Sequence, residues 1–277
     1  MNIYLNGEIV ESEKLIFSPL SSGAAHGYGV FETIKVMEGR PIFLREHYDR
    51  LKKSCIASMI TFEMDYERII QACSDVLRLN AIRRGFLKIT CFKGTSGSAD
   101  IVISTGEKTY DAPRYEEGFR LCYASVPRNE GSALTYIKST NYMENIMQIK
   151  NVSEKGYDEP VFLNGKGVLC EGAISNIFFA REGKVFTPSV ECGLLAGIAR
   201  DKVIMACKDN GIEIVQGVFS RNFFRTADEI FITNSLMGVM PVCQFEGRKY
   251  KVRDYYITPK LSRALEAMEL TADKDGE

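Results

Sequence analysis

The sequence predicts an α+β protein with mainly antiparallel strands, and three observations carry that prediction. Turn dipeptides recur between short apolar runs, at Asn6-Gly7, Asn164-Gly165 and Glu182-Gly183, as hairpins require. Apolar residues at helical spacing occupy separate stretches between these strands. Nowhere does a βαβ alternation run long enough for a doubly wound parallel sheet.

The 277 residues exceed the size at which one core stops growing, so two domains are expected. The most polar, turn-rich break lies at residues 109–118. It divides the chain into a small N-terminal α/β domain at 1–110, a linker at 111–118 and a larger C-terminal domain at 119–277. In the first domain the Asn6-Gly7 hairpin comes before strands at 30–36 and 41–44 that flank Glu38-Gly39-Arg40. Leu44, Tyr48, Leu51, Cys55 and Met59 then form the stripe of an amphipathic helix. A second helix follows the N-cap candidate Asp65, with Ile69, Ala72, Cys73, Val76 and Leu79 inward. Strands return at 85–92 and 99–105. The second domain opens with a strand at 119–126 and carries a helix over 141–155, its inner stripe including Tyr142, Ile146 and Ile149. Another helix runs from Gly197 to Gly211, a strand follows at 212–219, and the tail after Leu270 reads as frayed.

Composition excludes several classes of function. Lys and Arg total 35 against 36 Asp and Glu, so no basic excess points to nucleic acid or an anionic membrane. The eight cysteines are scattered, without a Cys-x-x-Cys pair, and mostly lie in apolar segments. The amino terminus lacks the basic and apolar regions of a signal peptide, and no apolar run approaches a membrane span. A cytoplasmic protein with reduced thiols is expected. With only His26 and His47 available, neither a histidine metal site nor a Ser-His-Asp triad is expected.

Two motifs carry chemistry together. Lys138-Ser-Thr-Asn-Tyr142 follows the strand-like run 135–137, and its lysine can supply an amine for a Schiff base. Glu171-Gly-Ala-Ile-Ser-Asn176 follows an apolar run, and its carboxylate can hold a pyridine nitrogen protonated, with small residues beside it to admit a flat ring. An exposed turn lysine and a strand-end glutamate are common, so each alone would read as surface. The pair is what a pyridoxal phosphate enzyme needs. Gly197-Ile-Ala-Arg200 places a glycine turn before a helix start, a ready anion site. Arg50 can grip a phosphate bidentately or pair with Glu46, and Ser235 offers a hydroxyl.

Five separated motifs resemble the class IV (fold type IV) pyridoxal phosphate-dependent aminotransferases, which include branched-chain and D-amino-acid aminotransferases and aminodeoxychorismate lyase. They are Gly27-Tyr-Gly-Val-Phe-Glu-Thr33, His47-Tyr-Asp-Arg-Leu51, the Lys138 and Glu171 motifs, and Gly197-Ile-Ala-Arg200. The resemblance implies a two-domain fold with the active site between domains. Lys138 would be the Schiff-base lysine, in the C-terminal domain, and Glu171 the partner of the ring nitrogen. Arg50, Ile198, Ala199 and Ser235 would hold the phosphate, and Tyr142 would lie near the phenolic oxygen. It also implies a homodimer in which the neighbouring subunit contributes a loop near His26. At the substrate, His26, Phe31, Thr33, Lys88 and Leu236 are the candidates. Ser98 and Asp100 stand where the D-amino-acid enzymes carry an arginine and a histidine, and His26 stands where the branched-chain enzymes carry a tyrosine. Phe31-Glu-Thr33, Lys88 and the 234–241 run look more like the lyase.

The expected activity is transamination between an amino acid and a 2-oxo acid, with Lys138 moving the α-proton. The alternative is a lyase that releases pyruvate and 4-aminobenzoate from aminodeoxychorismate. A non-catalytic small-molecule-binding protein of the same fold is the remote reading.

Overall fold

The computed structural model describes residues 1–14, 21–94 and 98–272, and the chain divides into two compact units. The first comprises Met1–Thr109 with Ile137–Asn141, and the second Tyr110–Tyr136 with Tyr142–Leu270.

In the first unit β1 (Asn2–Leu5) and β2 (Glu8–Glu11) pair across Asn6-Gly7. Both turn residues take positive φ, which matches the twist of the flanking strands. Helix α1 (Ser22–His26) is capped by the Ser21 hydroxyl and stops at the left-handed Gly27. Strand β3 (Gly29–Met37) then turns through Glu38-Gly39 into the short β4 (Arg40–Pro41). Helices α2 (Leu44–Ala57) and α3 (Tyr66–Leu79) precede β5 (Arg84–Lys93) and β6 (Ala99–Gly106). The six strands order as β2-β1-β6-β5-β3-β4, all antiparallel. Val30, Ile34, Leu51, Ile69, Leu87 and Ile103 meet in the core where the helices cover one sheet face. Strand alternation sends Phe31 and Thr33 to the other face, where the β3–β5 register sets Thr33 opposite Lys88. Met59 and Leu79, expected inward, are exposed at the helix ends.

The second unit opens with α4 (Ala112–Glu117), a helix where the sequence suggested a linker at 111–118. A proline in its first turn presets φ, Gly118 at φ 77° ends it, and Arg114 binds Asp158 at 2.7 Å. Then follow β7 (Phe119–Tyr123), α5 (Met143–Ser153), β8 (Glu159–Leu163), β9 (Leu169–Gly172), β10 (Asn176–Arg181) and β11 (Lys184–Pro188). Helix α6 (Ile198–Asp209) leads to β12 (Ile214–Gly217), β13 (Glu229–Asn234), β14 (Gly238–Phe245), β15 (Arg248–Lys249) and α7 (Ile257–Thr271). The sheet runs β12-β11-β10-β13-β14-β7-β8-β9, with β15 beside β14. Strand β7 is parallel to both neighbours and β12 to β11, while the other pairings are antiparallel. Ile177, Phe179, Ile230, Ile232, Met240 and Phe245 pack its core. Glu229 accepts the amides of Tyr256, Ile257 and Thr258 and so caps the start of α7.

Three local expectations differ. Residues 133–136 form a 3-10 turn rather than a strand, and 137–141 return to the first unit instead of staying with 119–277. They return because their main chain bonds to β3: Phe31 N–H donates to Lys138 O and Thr140 N–H to Gly29 O, both at 2.9 Å. The inward side of α5 carries Asn145, Gln148 and Val152, and Ile146 is exposed. Polar side chains face in there because they satisfy buried peptide groups: Gln148 accepts Ser125 N–H, and Asn145 donates to Ala173 O. Most of the tail after Leu270 (residues 273–277) lies outside the described residues.

The Asp65 carboxylate accepts Arg68 N–H at 2.9 Å at the start of α3. Asp65→Ala should therefore cost about 1 kcal/mol. An unchanged urea midpoint would contradict this capping role.

Candidate active site

In the first unit Lys138 follows a 3-10 turn and is strapped along the beginning of β3. The straps include Thr140 Oγ1 donating to Gly27 O and Asn141 Nδ2 donating to the same oxygen at 2.9 Å. Lys138 Nζ lies 4.6 Å from the centre of the Phe31 ring, and Lys88 Nζ lies 4.7 Å from it. The ring's negative face thus gathers two ammonium groups. Burial lowers the Lys88 pKa from its ordinary value, and no ion pair or hydrogen bond holds this ammonium among the described residues. Thr33 sits opposite Lys88 in the register, whereas His26, the last residue of α1, is exposed. Ser98 makes an isolated bridge with Thr61, and residues 95–97 beside it lie outside the described residues.

On the helix side of the same strand, Glu32 is fully buried. Arg50 grips it with Nε at 2.8 Å from Oε1 and Nη2 at 2.7 Å from Oε2, and His47 Nδ1 lies 2.7 Å from Oε2. Burial by itself would raise the Glu32 pKa, but the Arg50 charge and the hydrogen bonds from Arg50 and His47 outweigh it and hold the carboxyl at about 2. Burial pushes His47 below its usual value, so the imidazole is neutral near pH 7 and donates through Nδ1. Its Nε2 is buried without a hydrogen-bond partner among the described residues. The guanidinium of Arg50 therefore pairs with the buried carboxylate of Glu32.

In the second unit Glu171, 8% exposed, sits on β9. Leu195 N–H donates to its Oε2 at 3.0 Å, and Arg128 Nη2 lies 3.4 Å from its Oε1. Arg128 is buried over the Phe162 ring, and its Nη1 donates to Asn145. Helix α6 starts at Gly197 with no side-chain cap, so the N–H groups of Ile198 and Ala199 have no partner within the helix. A Cβ at 197 would lie 2.1 Å from Asn176 Oδ1, so only glycine leaves this helix start bare. Arg200, the last residue of that motif, turns inward to Pro188 O and Gln216 and ties β11 to β12. Ser235 and Leu236 lie in the β13–β14 hairpin, and the neighbouring Thr233 Oγ1 is buried without a partner among the described residues. Tyr142 is the N-cap residue of α5.

The candidates thus fall into two sets. His26, Phe31, Thr33, Arg50, Lys88 and Lys138 belong to the first unit; Tyr142, Glu171, Ile198, Ala199, Ser235 and Leu236 belong to the second. Glu32, Arg128, Asn145, Glu159 and Asn234, which the sequence reading did not single out, hold these residues or their turns. Glu32 left a readable signal: it is a charged residue at an inward position between Val30 and Ile34. Arg128 left none, because its contacts come from distant segments.

The first unit thus offers an amine, and the second a buried carboxylate and a helix start without a side-chain cap, each on an α+β scaffold. Residues 29–245 match the family model for amino-transferase class IV, and the chain belongs to that enzyme family. It is 32% identical to a putative branched-chain-amino-acid aminotransferase of Methanocaldococcus jannaschii, covering 90% of this chain and 89% of the relative. It is 28% identical to the aminodeoxychorismate lyase of Bacillus subtilis, covering 90% and 88%. The solved branched-chain amino acid aminotransferase of Escherichia coli is 27% identical, with a TM-score of 0.92 over 99% of this chain and 97% of that one.

The Glu32 cluster has a pH signature. Its carboxyl is at about 2 when folded against an ordinary 4.5, so the stability it contributes is full above pH 4.5 and is lost as pH falls from there toward 2. That contribution is on the order of 3 kcal/mol. Glu32→Gln should flatten the fall in stability across this window, as followed by urea unfolding at a series of pH values. An acid limb unchanged by the substitution would contradict the assignment.

Proposed function

We propose that the protein is a pyridoxal phosphate-dependent amino-acid aminotransferase, exchanging an amino group between an amino acid and a 2-oxo acid. The observation that carries this is Lys138, an amine whose backbone is fixed to β3 and whose Nζ lies over Phe31, in a chain of the class IV family. The residues fit the cofactor. The uncapped α6 start and the orphan Thr233 hydroxyl suit a phosphate, and Glu171, held by Leu195 N–H and Arg128, suits a ring nitrogen.

When bound, pyridoxal phosphate supplies an aldehyde that carries the amino group and a ring that draws electrons from the substrate α-carbon. The side chains do the rest. Arg50, the amides of Ile198 and Ala199, and the Ser235 hydroxyl hold the phosphate, with Glu32 fixing the plane of the Arg50 guanidinium. Glu171 keeps a proton at the ring nitrogen, and Tyr142 accompanies the phenolic oxygen. Lys138 Nζ anchors the cofactor and accepts the α-proton of the substrate. Lys88, a half-buried cation beside Phe31, meets the substrate carboxylate in place of an arginine at Ser98. Phe31, Thr33, Leu236 and His26 line the remaining substrate space.

The protein works as a homodimer in this reading. Met143, Ile146 and Met147, on one side of α5, are 73%, 61% and 60% exposed, an apolar strip suited to a second copy. The eight cysteines are unpaired, which suits a reducing cytoplasm, and no helix of the described residues is long and apolar enough to cross a membrane.

The hairpin Asn234-Ser-Leu-Met and the Bacillus subtilis relative favour a second reading, a lyase releasing pyruvate from aminodeoxychorismate. A panel of L- and D-amino acids with aminodeoxychorismate, followed by cofactor absorbance, separates the two. Conversion to the pyridoxamine form by an amino acid supports transamination. Pyruvate release without a 2-oxo acid acceptor supports the lyase. Colourless protein that borohydride leaves unmodified would mean a non-catalytic binder.

Lys138→Ala should abolish borohydride fixation of pyridoxal phosphate and at least a thousandfold of the rate, roughly the scale of a covalent and proton-transfer role. Lys88→Met should raise KM about tenfold with a smaller change in kcat. Unaltered KM for every active substrate would remove Lys88 from the carboxylate site.

A further inference from the structure

We infer that Asn234 is a positioning residue that sets the spacing between the two ends of the proposed cofactor site. This rests on the reading above, in which Glu171 meets the ring nitrogen and Ser235 the phosphate. The β10–β13 ladder pairs Asn176 with Thr233 and extends no further in that direction. Beyond its end lie the turn that joins Glu171 to β10 and the hairpin loop that carries Ser235. The Asn234 side chain links them. Its Nδ2 donates to Ile174 O at 3.2 Å, and its Oδ1 accepts Leu236 N–H and Met237 N–H, both at 2.9 Å. Reversing the amide would set an NH2 against two N–H donors and an oxygen against a carbonyl, so only this orientation satisfies these three contacts; the same side chain also hydrogen-bonds Tyr110.

The turn at the other end of the link is rigid. Glu159, 1% exposed, accepts Ile174 N–H and the Ser175 hydroxyl on Oε1, each at 2.8 Å. Asn145 donates to Ala173 O, and Ala173 N–H donates to Pro160 O. A Cβ at Gly172 would lie 2.4 Å from Glu159 Oε1, so the turn closes on the carboxylate only with glycine. Movement of the Ser235 loop relative to the Glu171 turn therefore has to break the Asn234 link. A ligand that spans both ends gains from this preorganisation, and a ligand that uses one end gains nothing.

Asn234→Thr separates the two functions of the side chain without adding a charge beside Ser235. Its hydroxyl can accept from the loop amides but cannot reach Ile174 O. Kd values of the cofactor-free protein are measured for pyridoxal phosphate, for pyridoxal and for inorganic phosphate. The expected result is a Kd for pyridoxal phosphate raised about tenfold or more, with the other two changed by less than about twofold. An unchanged Kd for pyridoxal phosphate overturns the inference, and so does an equal loss for all three probes, which a merely structural role would give. If Asn234→Thr fails to fold by circular dichroism, Asn234→Ser carries the same expectation, since its hydroxyl too can cap the loop without reaching Ile174 O. Wild-type protein that takes up no pyridoxal phosphate overturns the functional reading itself. Wild-type uptake with a non-selective effect of the substitution overturns only the role of Asn234.

Discussion

The peptide groups of the turn after Glu171 must find partners away from water, and the layout of the second unit follows from how they do so. Gly172, Ala173 and Ser175 are buried while Ile174 is exposed, and an unmet buried N–H or carbonyl costs more than an ordinary hydrogen bond returns. Glu159, Asn145, Asn234 and Pro160 O meet them from β8, α5 and β13. Those side chains are polar residues on inward faces, which explains why α5 buries Asn145 and Gln148 and leaves Ile146 outside. A hydrophobic face there would have packed more apolar area and stranded the turn.

The first unit is organised around a buried charge rather than a buried turn. Placing Glu32 beneath the sheet is tolerable only because Arg50 and His47 surround its two oxygens, and removing either partner would strand a carboxylate. The same strand carries Phe31 and Thr33 on its opposite face, one residue out of phase. A slip of one position in the β3–β5 register would turn Glu32 away from Arg50 and His47 and the Phe31 ring away from Lys88 and Lys138. Strand register therefore decides which partners these side chains meet in this unit.

Much of the fold was legible because local signals agreed with the tertiary outcome. Asn6-Gly7, Glu38-Gly39, Asn164-Gly165 and Glu182-Gly183 each lie between antiparallel strands, and Asp65 caps the helix it precedes. The misreadings have separate causes. Segment 111–118 looked like a linker because its polar residues and proline also suit the first turn of a short surface helix. The run 135–137 looked like a strand because β-branched and aromatic residues were read without knowing that Lys138 and Thr140 spend their backbone bonds on β3.

By itself, the sequence supplied the candidate inventory, an amine, a carboxylate and a glycine before a helix, and determined the family to which the chain belongs. Those are properties of residue type and local spacing, and they survive without coordinates. The tertiary structure alone decided which residues hold that inventory in place. Arg50 pairs with Glu32 from a neighbouring strand, Arg128 reaches Glu171 from a remote segment, and Asn234 joins two turns. The physical reason is that hydrogen bonds and ion pairs form between atoms close in space, and no period along the chain encodes which distant segments will meet.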